Sequence, residues 1–181
     1  MNTQVQQSST YPFSLLPNGI PRSGLLEISG SSGSGKTEAI LRLLSENAHL
    51  RTAWIEDGLT IFPSAFPEYQ VGLEKVLFID VSSPQLTQTP LWCASQILKS
   101  QLFQLIVLSS LTFRELELRR LQLLSKQTGA LIILLNSYPR GQAQWPLFLQ
   151  IDVRRTEGEV SPSSLTILKS KNSSLWPSQR R

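Results

Sequence analysis

Five short apolar runs punctuate the chain: LLEIS at 25–29, TAWIE at 52–56, VLFID at 76–80, LIVLS at 105–109 and ALIILL at 130–135. Most are continuously apolar rather than alternating, the pattern of strands in a sheet covered on both faces. Segments with helical periodicity lie between them, at 36–47, 90–101 and 113–127. In the last of these Phe113, Leu116, Leu123 and Leu124 are expected to form the buried face. Arg114, Glu115, Arg119 and Lys126 lie opposite, and Glu117 and Arg120 intrude on the stripe. Such alternation predicts an α/β fold built from parallel βαβ units. After residue 145 the rhythm changes: LFLQIDVRR, the turn signal TEGE and SSLTILKSK read as an antiparallel hairpin that extends the sheet.

A chain of 181 residues, 40% apolar, fits one core better than two. Residues 1–14 are polar and expected to be disordered or loosely docked. Residues 15–172 form the predicted domain, and 173–181 a loose basic tail. The formal charge of +4 permits an anionic partner without demanding one, since charged residues make up only 17% of the chain. A single cysteine, Cys93, excludes an intramolecular disulfide and suits a reducing compartment. No stretch reaches the roughly 18 apolar residues of a membrane span, and the opening residues lack a basic and apolar leader pattern. A cytoplasmic protein with no membrane association is the expectation.

The strongest local signal is Gly30-Ser31-Ser32-Gly33-Ser34-Gly35-Lys36-Thr37, which satisfies G-x-x-x-x-G-K-[ST] between a predicted strand and a predicted helix. Its glycines let backbone N–H groups turn toward phosphate oxygens, Lys36 can reach the outer phosphates, and the Thr37 hydroxyl can ligate Mg2+. ATP or ADP with Mg2+ is the expected cofactor. Hydrolysis asks for more, namely a carboxylate at the end of a nearby strand and a group that orients water. The candidates are Glu56 and Asp57 after TAWI, and Asp80 ending VLFID as an alternative metal residue. The strand LIVLS ends instead in Ser109 and Ser110. Spacing alone does not say which strand borders the loop.

The stretch LPNGIPRSGLLEISGSSGSGKTEAILRLL resembles the opening of the RecA recombinase ATPase core, with its Gly-apolar-Pro turn before a strand that contains Glu-Ile. TAWIEDGLTIFP, GLEKVLFI, LIVLSS, ALIILLNS and LTILKSKNSSLWP are similar to successive later strands of that core. The order of LEKVLFI, the helix at 90–101 and FQLIVL resembles the shortened relatives of the ImuA type, which accompany translesion polymerases in bacterial damage-induced mutagenesis. The resemblance implies a RecA-like P-loop sandwich, mostly parallel with a C-terminal antiparallel hairpin, and a role in DNA repair. It also marks departures. Ser109 stands at the family's Walker B aspartate, Gly58 at its catalytic glutamate, and Ser137 where a sensor glutamine follows an asparagine, here Asn136. These imply nucleotide binding with weak or no hydrolysis. A DNA-stimulated ATPase and a P-loop kinase or switch are the alternatives.

The family's DNA-binding loops are shortened here. Tyr138, Arg140 and Trp145 in the second loop remain candidate contacts to single-stranded DNA or a partner. Lys171 matches a late lysine that in recombinase filaments reaches a neighbour's nucleotide, although the missing N-terminal docking helix argues against a filament. A recombinase or a polymerase-associated protein is the implied partner, docking near the N-terminus or the apolar LWP at 175–177. His49 and Cys93 offer little material for a catalytic triad or metal site, and Trp54 and Trp92 read as core or interface aromatics.

Overall fold

The computed structural model describes residues 10–82, 88–139, 146–155, 164–172 and 174–177. In chain order the elements are β1 (Thr10–Tyr11), β2 (Ile20–Pro21), β3 (Gly24–Ser29), α1 (Lys36–Glu46), β4 (Thr52–Glu56), α2 (Ala65–Glu68), β5 (Val76–Asp80), α3 (Pro90–Ser100), β6 (Leu105–Ser109), α4 (Glu115–Thr128), β7 (Leu131–Asn136), β8 (Leu149–Arg154) and β9 (Ser164–Ser170). β1 and β2 form a small antiparallel sheet, and the other strands form a seven-stranded sheet in the order β5-β4-β6-β7-β3-β8-β9. All its pairings are parallel except β8 with β9. The expected α/β architecture and its closing antiparallel strand pair are therefore present. The TEGE turn lies outside the described residues.

The continuous apolar runs have a direct cause. One face of the sheet (Leu26, Ile28, Trp54, Val107, Ile133, Ile151) packs against α1 and the 10–21 segment. The other (Leu25, Ile55, Ile106, Leu108, Ile132, Leu134) packs against α3 and α4. Each buried aliphatic side chain of this kind stabilises the fold by about 1.5–3 kcal/mol. The helices start at recognisable signals. Thr89 accepts a hydrogen bond from Trp92 N at 3.2 Å with Pro90 at the first helical position. The Glu117 side chain accepts from Arg114 N at 2.7 Å, which explains the acidic intrusion into the α4 pattern.

The buried face of α4 matches the expected one only in part: Phe113 is buried and Leu124 packs against the core. Leu118, Leu121 and Ser125 point inward, whereas Leu116 is 77% and Leu123 60% exposed. Five leucines in this helix surround its axis, so spacing does not single out a stripe. Ser125 decides the orientation: its hydroxyl donates to Ala130 O at 2.6 Å and accepts from Gly24 N at 2.6 Å, pinning the helix to β3.

The ends of the described chain are also packed more tightly than the polar sequence suggests. Tyr11 and Phe13 are buried, Asn47 Nδ2 donates to Pro12 O at 2.8 Å and Ser14 N donates to Glu46 Oε2 at 2.7 Å. Trp176 is buried too, with its indole N–H donating to Gly19 O at 2.9 Å and its ring edge-on to Phe148. The aromatic ring of LWP is thus consumed within the fold and is not an open docking residue. Among the described residues no helix is long and apolar enough to cross a membrane.

Candidate functional site

The loop from Gly30 to Gly35 joins β3 to α1 and is held in shape from several sides. Gly30 N donates to Asn136 O at 3.2 Å and Ser34 N to Ser31 O at 3.1 Å. A Cβ on Gly30 would come within 2.3 Å of Ser34 Oγ and 2.6 Å of Val153 O, so only glycine fits. Gly33 and Gly35 have φ of 76° and 90°, the left-handed region that glycine adopts without strain. The first helical bond runs from Ala39 N to Gly35 O at 2.8 Å. The amides of the preceding turn therefore stand at the open, positive end of α1. Lys36 Nζ turns back on the loop, donating to Gly30 O at 2.9 Å and Ser31 O at 3.2 Å. Burial pulls its ammonium below the ordinary lysine range, a cost that a phosphate anion would relieve.

A cavity of about 430 Å³ opens beside this loop, outside the carboxyl ends of β4, β6 and β7, where open α/β sheets bind ligands. Ser32, Gly33, Gly35, Lys36 and Thr37 form one wall. Trp54 and Glu56 come from β4, Ser109 and Ser110 from the end of β6, Leu135 from β7 and Ser137 from just after it, and Arg155 from beyond β8. Ile61, Phe62 and Ala65 supply an apolar rim. Glu56 is buried and fully engaged. Oε1 accepts from Thr60 Oγ1 at 2.7 Å and Ser109 Oγ at 2.9 Å, and Oε2 accepts from Thr60 N at 3.0 Å and Ile61 N at 3.4 Å. β4 and β6 are in register with Glu56 opposite Ser109. A carboxyl thus sits directly beside the Ser109 hydroxyl, on a side chain that already clamps Thr60 and Ile61.

Strand order answers the question that spacing left open. β7 and β8 flank β3, β6 lies beyond β7, and β5 is the outermost strand. Asp80 on β5 is four strand positions from β3, roughly 19 Å at about 4.8 Å per strand. It is exposed and does not line the cavity. Its carboxyl accepts from Ser82 N at 2.9 Å and Gly58 N at 3.1 Å, bonds that hold its pKa below the ordinary carboxylate value. The geometry gives Asp80 a turn to stabilise and no metal at this cavity. Asp57 is exposed as well and does not line the cavity, and Gly58 (φ 73°) forms the turn.

The remaining candidates are spread out. Gly30, Ser31, Ser137 and Tyr138 border a second hollow of about 380 Å³ behind the loop, with Asp152, Arg154 and Arg155. Tyr138 is exposed, and Arg140 and Trp145 lie outside the described residues. Lys171 follows β9 at the surface, and its pKa is lowered by partial burial and then by the nearby Lys169 and Lys126 cations. Asn136 does not reach the cavity with its side chain. It donates to Glu27 Oε1 at 2.6 Å, and Gln150 Nε2 also donates to Glu27, so one buried carboxyl joins three adjacent strands.

The residues present suit a nucleotide diphosphate or triphosphate. In the cavity wall the Trp54 indole nitrogen is buried with no hydrogen-bond partner among the described residues, and loop, lysine and helix end border the same space. For a magnesium ion the donor set is the Thr37 hydroxyl with Glu56 and Ser109 nearby. This is adequate for a cation that keeps several waters and shares phosphate oxygens, and too sparse for an all-protein cage. Four residues escaped the sequence reading: Glu27, Glu38, Thr60 and Arg155. A glutamate inside the otherwise apolar run LLEIS was the available signal for the first, since a buried carboxyl demands donors. The chain matches no family model, and no curated protein matches it.

Proposed function

We propose that this protein binds an adenine nucleotide through a RecA-like P-loop fold and hydrolyses it weakly or not at all, acting as an accessory protein in bacterial DNA repair or damage-induced translesion mutagenesis. The observation that carries the catalytic part is the pairing of Ser109 with Glu56. A hydroxyl occupies the strand end where the resemblance implies a carboxylate, and the only cavity-wall carboxyl on these strands is bound up with Thr60 and Ser109. The loop amides, the α1 N-terminus and Lys36 would hold the phosphates and Thr37 the Mg2+. Magnesium, when bound, would neutralise phosphate charge. Glu56, with both oxygens engaged by donors, is poorly placed to accept a proton from water. The cellular role, the recombinase or polymerase-associated partner and any contact with single-stranded DNA rest on the resemblance alone.

The test is nucleotide titration and ATP turnover with Mg2+, with and without single-stranded DNA, for the natural chain and Lys36→Ala. Binding weakened about tenfold or more by the substitution, together with turnover near background, is the expected result. DNA-stimulated turnover abolished by Glu56→Gln would instead establish the second reading, an ATPase in which Glu56 replaces the missing carboxylate. Its burial in the cavity wall is what favours that alternative.

A further inference from the structure

Among the described residues that line the cavity Arg155 is the only arginine. Its guanidinium lies 2.9 Å from Glu38 Oε2, while Arg42 holds Glu38 Oε1 at 3.0 Å. One carboxylate thus carries two guanidiniums, and Arg42, one helical turn away, suffices to balance it. The charge of Arg155 is surplus to that pair. Its neighbour Arg154 is tied to Asp152 at 2.9 Å, so the two consecutive arginines are used differently, one for the strand and one at the cavity. The backbone that carries Arg155 is fixed beside the loop: β8 pairs with β3 through Ser29 and Asp152, and Val153 O faces Gly30 closely enough to exclude a Cβ there.

We propose that Arg155 is a nucleotide latch, whose guanidinium leaves Glu38 and closes on the inner phosphate of a bound nucleoside diphosphate or triphosphate. This rests on the nucleotide-binding reading of the same cavity. Lys36 and Thr37 serve the outer phosphates and the metal. Arg155 enters from the β8 side of β3, whereas Glu56 and Ser109, beside which the metal would lie, come from β4 and β6 on the other side, so the guanidinium stands toward the inner end of the phosphate chain. The exchange is easy, because a partly exposed ion pair contributes little, whereas a guanidinium can bind phosphate oxygens with two parallel hydrogen bonds. The latch grips ADP as firmly as ATP, which suits a protein that retains nucleotide instead of turning it over.

Calorimetric titration with ATP and with ADP, each with Mg2+, on the natural chain, Arg155→Ala, Glu38→Gln and the double variant tests this. Arg155→Ala is expected to weaken both nucleotides alike, by about tenfold. Glu38→Gln, which removes an anion beside the phosphates, leaves binding equal or tighter, and the loss from Arg155→Ala persists in that background. Arg155→Lys, keeping the charge without the fork, falls between. Unchanged binding in Arg155→Ala, a loss confined to ATP, or a loss that vanishes once Glu38 is glutamine overturns the latch. Absence of binding by the natural chain, with its thermal transition intact, removes the nucleotide reading and the latch together. Binding by the natural chain that is indifferent to Arg155 removes the latch alone.

Discussion

Glu27 and Glu56 are both buried carboxyls in the central sheet, and both accept several hydrogen bonds. Glu27 shares the face of Leu25, which packs toward α3 and α4, and its donors come from the strands on either side. Glu56 ends its strand at the cavity, and its donors come from a turn and from Ser109. A buried acid tied between neighbouring strands is a stitch. One tied to a turn and facing a cavity is a wall that a ligand can rearrange. The difference is set by strand order and by the parity of each side chain, not by residue type.

Replacing the stitch should have the largest effect. Glu27→Ala leaves the Asn136 and Gln150 amides without this acceptor and opens a void, at a cost of about 3 kcal/mol, a fall of about 6–12 °C in thermal midpoint. Glu56→Ala should cost about 1–2 kcal/mol, because Thr60 is exposed and water can serve its donors. Equal losses on thermal unfolding would break the contrast.

Next in size is Ser109→Asp, which sets a second carboxyl against Glu56. In chelator the variant should lose about 1–2 kcal/mol through like-charge repulsion, and added Mg2+ should raise its thermal midpoint more than that of the natural chain. A midpoint indifferent to Mg2+ would mean that the wall has no latent metal geometry.

The smallest effect is electrostatic. Burial lowers the pKa of Lys36 in the folded protein, so just below the ordinary value of 10.5 the folded state carries fewer protons there than the unfolded one. The contribution of this group to stability therefore rises with pH through that window. Phosphate binding favours the ammonium, so the chain should take up a fraction of a proton with ADP and bind more weakly as pH rises. Titration in two buffers of different ionisation enthalpy measures this, and Lys36→Arg should abolish the uptake.

Much of the fold could be read from the chain because five of its strands are short apolar runs with breakers between them, and the observed bounds of those five shift by a residue at most. The glycine-rich loop from Gly30 to Gly35 could be placed between a strand and a helix because its signal is local. What escaped was non-local. The role of Ser109 depends on β7 lying between β3 and β6, and that of Asp80 on β5 being outermost. The inward face of α4 depends on a serine that bonds across to β3. Tyr11, Phe13 and Trp176 sit in polar stretches whose composition hides their burial.

The position of β3 has a kinetic consequence. It pairs only with β7 and β8, strands that follow it by more than a hundred residues, and its loop is shaped by Asn136 O and Val153 O. Contacts of such sequence separation close late, since the entropy of the intervening chain must be lost first. On a ribosome the complete motif would emerge early yet stay shapeless until β8 had left the tunnel. A nucleotide that binds as proposed would therefore meet this loop in its binding shape only once the sheet is finished.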